Sequence, residues 1–189
     1  MSVTVHEDLD AAAYERLPFP EPGERRRDLG PQVAEFYTDE SAALDERRYA
    51  DWLGLLAEGF AYQVPVPLLR EDPRLPRHSE RALLFEATKR TFAMKFGRVG
   101  RHYAWSDRPG ANVRHFVSGV RVFATASGAL RVHSNVLACW NRGPAESATV
   151  SAERLDLLRQ DGPGEFAILR RRVLLDAEIP THEQLSIIL

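Results

Sequence analysis

Two periodicities divide the chain. Before residue 60, apolar residues recur every three or four positions; after residue 112 they alternate. In the first region Val33, Phe36, Tyr37 and Leu44 fall at helical spacing behind Pro31, which suits a first helical turn. Tyr49, Trp52, Leu53 and Leu56 follow the i, i+3, i+4, i+7 pattern of a second helix, with Gly59 as its predicted stop. Phe60, Tyr62, Val64 and Val66 then alternate as a strand. Pro65 and Pro67 predict that this strand lies at a sheet edge or ends there. A proline- and charge-rich loop covers 67–78. Ser79 is placed to cap a third helix over 79–98, one face of which carries Leu84, Phe85, Thr88, Phe92 and Phe96. Lys95 and Arg98 sit near its negative pole. Residues 101–112 read as a loop with a turn at Pro109-Gly110.

The alternating region predicts four strands, over 113–125, 130–141, 148–159 and 165–177. Turn chemistry separates them at Ala126-Ser127-Gly128, Gly143-Pro144 and Asp161-Gly162-Pro163-Gly164. Spacing this short implies an antiparallel meander. Helices followed by a run of strands imply α+β, with N-terminal helices burying their stripes on one face of a curved, mainly antiparallel sheet: a cone with a pocket between helix and sheet. Residues 1–28, with Pro18, Pro20, Pro22, Gly23 and a charge run, read as an extended arm, and 29–189 as one domain.

The composition narrows the function classes. With 189 residues, 44% apolar and 28% charged, the chain is long enough for a sizeable core. A formal net charge of −2 without a basic face argues against nucleic-acid binding, and no apolar run approaches the ~20 residues of a membrane span. The acidic N-terminus does not resemble a secretory signal. The residues after Arg25, Arg26 and Arg27 are too polar for a twin-arginine signal, so the expected compartment is the cytoplasm.

A Rieske cluster needs two cysteines and two histidines, and the single Cys139 cannot supply it. The same count removes the cysteine-rich zinc sites. A mononuclear iron site would need two histidines and a carboxylate on one face. With a hairpin that sets Val122 opposite His133 and Trp140 opposite His115, the two strand histidines point to opposite faces. Cys139, in VLACWN, reads as a buried core cysteine rather than a nucleophile. No phosphate-binding glycine loop is present. General acid–base chemistry in the pocket of a cone has candidates in Tyr62, His102, Tyr103, Asp107 and His115, each of which also has a structural reading. Arg170, Arg171 and Arg172 alternate faces in mid-strand. They fit a subunit interface and a solvated strand about equally, with Asp176 and Glu153 as possible partners.

Three segments, EFYTDESAALDERRYADWLGLLAEGFAYQVPV (35–66), HYAWSDRPGANVRHFVSGVRV (102–122) and AERLDLLRQDGPGEFAILRRRVLLDAEIPTHEQLSIIL (152–189), together resemble the small (beta) subunit of Rieske-type aromatic-ring-hydroxylating dioxygenases. The resemblance implies a nuclear transport factor 2-like (cystatin-like) cone and a non-catalytic structural role in aromatic compound catabolism. It implies a large (alpha) partner subunit, three large with three small, that carries the Rieske [2Fe-2S] cluster and the mononuclear iron. Ferredoxin and reductase would act on that partner. Trp105, Arg108 and Trp140 are the expected contacts with the large subunit, Trp and Arg being enriched at such surfaces; core packing is the other reading of Trp140. One departure stands out. Family members tend to show Ser-Asn-Val in the third strand, where this chain has Ser118-Gly119-Val120; the glycine predicts a bulge or a close backbone approach. The alternative function is a free-standing isomerase or dehydratase of the same fold, using Tyr62, His102, Asp107 or His115.

Overall fold

Pro31 and the apolar stripe behind it produce helix α1, Gly30–Asp45, entered through a 3-10 turn at Arg27–Leu29. This computed structural model describes residues 19–72, 74–99, 111–142, 146–177 and 187–189. A short helix α2, Tyr49–Gly54, follows and stops five residues before the predicted Gly59, which lies inside strand β1, Leu56–Pro67. Then come β2 (His78–Thr88), α3 (Lys89–Val99), β3 (Asn112–Ala124), β4 (Leu130–Arg142), β5 (Glu146–Gly162) and β6 (Glu165–Leu175). The sheet order is β2-β1-β6-β5-β4-β3. β1 and β6 run parallel and the other neighbours antiparallel. The helices lie on one face of this mixed sheet, giving the expected α+β cone.

The meander falls within a few residues of its predicted bounds, because alternation and turn residues both mark it. The region before it corrects two expectations. β1 is not an edge strand: β6 flanks it on one side and β2 on the other. Pro65 is accommodated at a register shift in the β1–β2 ladder, and β1 ends at Pro67. The predicted helix over 79–98 is half strand. Its first part is β2, where Ala87 and Phe85 pair with Tyr62 and Val64. Ser79 caps no helix; its hydroxyl accepts hydrogen bonds from the backbone N–H groups of Arg81 and Ala82. Ala, Leu and Glu favour a helix here, but the open backbone edge of β1 supplies a ladder that this weak propensity cannot outweigh.

The core lies between α1–α3 and the inner face of the sheet. Val33, Phe36, Tyr37 and Leu44 of α1 bury against Val122, Val132, Val136 and Ala138. At the other end Trp52 of α2 meets Phe60, Phe92 and Phe96 nearly edge-on, at 6.5, 5.1 and 5.9 Å between ring centroids. Two bulges set which residues face this core. In β3 the register shifts between Ser118 and Arg121, and Gly119 adopts φ +65, the left-handed conformation that glycine reaches without strain. In β6 Leu157 pairs with Arg170 while Leu158 pairs with Ile168, so Leu169 is the extra residue. The arm residues that are described run along the end of β3, with Gly23 N donating to Ala124 O and Arg26 N to Val122 O.

Candidate functional site

The α1 stripe has one polar member. Glu40 stands in phase with Val33, Phe36, Tyr37 and Leu44 and is fully buried. On the facing sheet Arg154 and Asp156 alternate with Val150, Ala152 and Leu158 on the inner side of β5. The Leu169 bulge turns Arg171 inward beside them. Arg171 donates to Glu40 at 2.6 and 3.0 Å and to Asp156 at 2.8 and 2.9 Å. Arg154 lies 3.3 Å from Glu40 and 3.4 Å from Asp156, with its guanidinium 4.2 Å above the Tyr37 ring. Tyr37 Oη donates to Asp156 at 2.7 Å and Trp52 Nε1 to Glu40 at 3.1 Å. Two cations and two anions thus form a charge-balanced quartet, the arrangement a buried charge requires.

The electrostatics keep Glu40 and Arg171 charged. Burial alone would raise the Glu40 carboxyl, but the Arg171 and Arg154 guanidiniums overcome it and hold the group at about 2. Burial would lower Arg171, and Asp156 and Glu40 together carry it well above its ordinary value instead. Burial, then Asp156, pushes Tyr37 up. These groups are moved away from neutrality, opposite to the tuning that general acid–base catalysis needs.

Beside the quartet the cone holds part of its own chain. Ile187 and Leu189 are buried in the core. Leu189 N donates to Tyr62 Oη at 3.1 Å, and Arg171 Nη1 donates to Leu189 O at 3.4 Å. His115 Nε2 lies 2.7 Å from Ile188 O, and its Nδ1 lies 2.7 Å from Asp45 Oδ1 at the end of α1. The carbonyl of Ile188 can only accept, so Nε2 is the donor in that contact. The space left beside the segment is a narrow cleft among Tyr62, Val64, Phe85, Phe92, Val173 and Leu175.

Of the predicted pocket residues, Tyr62 and His115 do face the interior of the cone, and both are engaged by residues 187–189. Burial raises the Tyr62 hydroxyl further from neutrality. His102, Tyr103 and Asp107, with the expected contacts Trp105 and Arg108, lie outside the described residues. Trp140 is half-buried and packs against the core.

The outer face carries the rest. His133 pairs with Glu153 at 3.0 Å and stands beside Arg131, on the face opposite His115 as the alternation requires. The detailed register differs twice: it is one residue off from the turn onward, where Val122 faces Val132, and shifts by one more at the Gly119 bulge, beyond which His115 faces Ala138. Cys139 is on this outer face and partly exposed, a correction to the buried cysteine expected. The arginine expectation is corrected too. Arg171 is buried and paired with Glu40 and Asp156 rather than with Asp176 or Glu153. Arg170 and Arg172 surround Phe19 of the arm, 5.1 and 5.7 Å from its ring centroid, with Arg131 at 5.6 Å. Burial, then Arg172, lowers Arg170 to about 10. Among the described residues no group of three or more His, Cys, Asp or Glu is placed to hold a metal ion.

The quartet was half legible. A charged residue in phase with an apolar stripe, as Glu40 and Asp156 are, signals a buried pair. Arg171 gave no such signal, since its phase depends on a bulge.

Residues 39–181 match the family model of the ring hydroxylating beta subunit. The chain is 29% identical over 154 residues to the benzene 1,2-dioxygenase subunit beta of Pseudomonas putida, covering 79% of this chain and 82% of that protein. It is 25% identical over 160 residues to the biphenyl 2,3-dioxygenase subunit beta of Rhodococcus jostii, covering 82% and 86%. Its fold superposes on a chain of naphthalene 1,2-dioxygenase with indole bound in the active site, with a TM-score of 0.75, 18% identity and all of both chains covered.

Proposed function

The chain belongs to the ring-hydroxylating beta subunit family and is a small subunit of a ring-hydroxylating dioxygenase; we propose that its task there is to give shape to a large subunit that carries the redox centres. The observation that carries this reading is the filled cone. Tyr62 and His115, the described candidates for acid–base work, are bonded to the chain's own residues 188 and 189. Among the described residues, the space left for a free-standing isomerase or dehydratase is only the narrow cleft beside residues 187–189.

The donor set of this chain does not fit the metal groups. A Rieske cluster needs two thiolates and the chain has one cysteine. His115 and His133 face opposite sides of the sheet and cannot share an iron. In this proposal the large subunit holds both, in a complex of three large and three small chains. The groups would there supply electron transfer and oxygen activation. The complex would add both atoms of O₂ to an aromatic ring as a cis-dihydrodiol, drawing two electrons and one proton from NAD(P)H, through a reductase with or without a ferredoxin, and a second proton from solvent. That supply of NAD(P)H argues for the cytoplasm, and no described helix is long and apolar enough to cross a membrane.

The role of this chain is then mechanical. A sheet closed by a buried charge quartet on one face is a rigid body, and rigidity lowers the ordering cost of assembly. In this proposal residues 29–189 dock as one unit, 1–28 serve as its arm, and Trp105 and Arg108 are contacts with the large subunit. Co-expression with the large subunit tests the reading by gel filtration and iron analysis. A co-purifying hetero-oligomer with iron confined to the larger chain is expected. Turnover of an aromatic or of a hydroxy acid by the small chain alone would refute it.

A further inference from the structure

The side chains that meet residues 187–189 are each anchored elsewhere as well. Arg171 is held by four hydrogen bonds to Glu40 and Asp156, and His115 by Asp45, so both donors are anchored by partners other than residues 187–189. Tyr62 is held by packing against Phe85 and Phe92, at 6.0 and 5.5 Å. Residues 187–189 themselves are held differently. Among the described residues, 187–189 pair with no strand, and their polar contacts with the cone are one each with Tyr62, His115 and Arg171. Preorganised donors at the end of an apolar, aromatic-lined cavity are the general form of a small-molecule site. Here a stretch of the same chain, with branched aliphatic side chains and two carbonyl oxygens, occupies it.

We propose that the cone interior is a gated binding site for a small apolar molecule bearing a carboxylate or carbonyl oxygen, and that residues 187–189 are its displaceable internal competitor. The ligand's oxygen would take the donors now given to Ile188 O and Leu189 O. Its apolar body would lie on Val64, Phe85, Phe92 and Val173. A rigid receptor with a competitor tethered to it has an affinity set by how often the competitor leaves. This inference concerns the same cone that the subunit reading takes as filled at rest; binding without turnover leaves that reading standing, and turnover by the chain alone would refute it.

The test uses the full chain, with 4-phenylbutyrate as the probe. Backbone-amide exchange is followed by NMR at Leu189, which bonds Tyr62, and at Val132 and Ile168 in the core. Saturating probe is expected to speed exchange at Leu189 at least tenfold and leave the two core amides unchanged. The Ile187→Ser/Leu189→Ser variant, checked for a cooperative melt, is expected to bind the probe at least tenfold more tightly than the parent chain. A free acetylated Ile-Ile-Leu peptide should compete for that binding. Leu189 exchange that follows the core amides, or an unchanged affinity in the folded variant, would overturn the proposal. A variant that fails to fold would overturn it as well, because a gate must be able to leave.

Discussion

Replacing Arg171 with methionine removes the cation that joins both carboxylates of the quartet. In the native protein Arg154 and Arg171 balance Glu40 and Asp156, all four at most 2% exposed. R171M leaves two buried anions with one cation, and it deletes four charge-assisted hydrogen bonds. Orphaning one partner of a buried pair costs about 3–5 kcal/mol, because the remaining charge stays desolvated. For a domain of this size that corresponds to a fall in Tm of about 6–20 °C. The prediction concerns imbalance, not the worth of a salt bridge, so a second change should rescue the first. R171M/E40Q returns the site to one cation and one anion, and it should recover about 1–3 kcal/mol of the loss as coupling between neighbours. Arg171→Lys should fall between the parent and R171M, since it keeps the charge but lacks the fork that reaches two carboxylates. Calorimetry and urea titration at pH 7 of the parent, R171M, E40Q and R171M/E40Q measure the cycle, with Arg171→Lys run beside them. A cost for R171M below about 1 kcal/mol, or an E40Q change that adds its full cost on top, would refute the electrostatic account of this core.

Three further outcomes follow from the same geometry. Glu40 sits at about 2 in the folded chain against an ordinary 4.5, so its contribution is complete above about 4.5 and is lost as pH falls toward 2. Urea midpoints should show wild type and E40Q converging across that window, by roughly 3 kcal/mol in total. Gly119→Ala should cost about 1–2 kcal/mol because alanine is strained at φ +65. Its added Cβ would also meet Asn135 Nδ2 at 3.0 Å, so an Asn135→Ser background should relieve the contact part and leave the backbone part. Tyr62→Phe keeps the ring contacts but removes the hydroxyl that accepts from Leu189 N, for a loss of about 1 kcal/mol by thermal melt and no loss of co-purification with the large subunit.

The sequence alone determined the meander, the two N-terminal helices and the absence of a Rieske ligand set. Each rests on a local property: period-two alternation between turn residues, a 3.6-period stripe behind Pro31, and one cysteine in the chain. It also set His115 and His133 on opposite faces, an outcome that survives only because two one-residue register shifts, one at the turn and one at the Gly119 bulge, cancel. What it could not decide were features that depend on a neighbour. Residues 78–88 have the composition of a helix and become β2 because β1 offers an unpaired edge. Arg170, Arg171 and Arg172 occupy consecutive positions, and alternation alone would group Arg170 and Arg172 with Ile168 on the inner side; one extra residue at Leu169 reverses that and sends Arg171 inward. The partners it finds there, Glu40 and Asp156, stand 131 and 15 residues away along the chain. Residues 187–189 carry no strand pattern, and only the assembled cone supplies the apolar walls and fixed donors that hold them. Local periodicity is written residue by residue, but a bulge, a buried charge balance and an occupied cavity are properties of surfaces brought together by folding, and tertiary packing alone decides them.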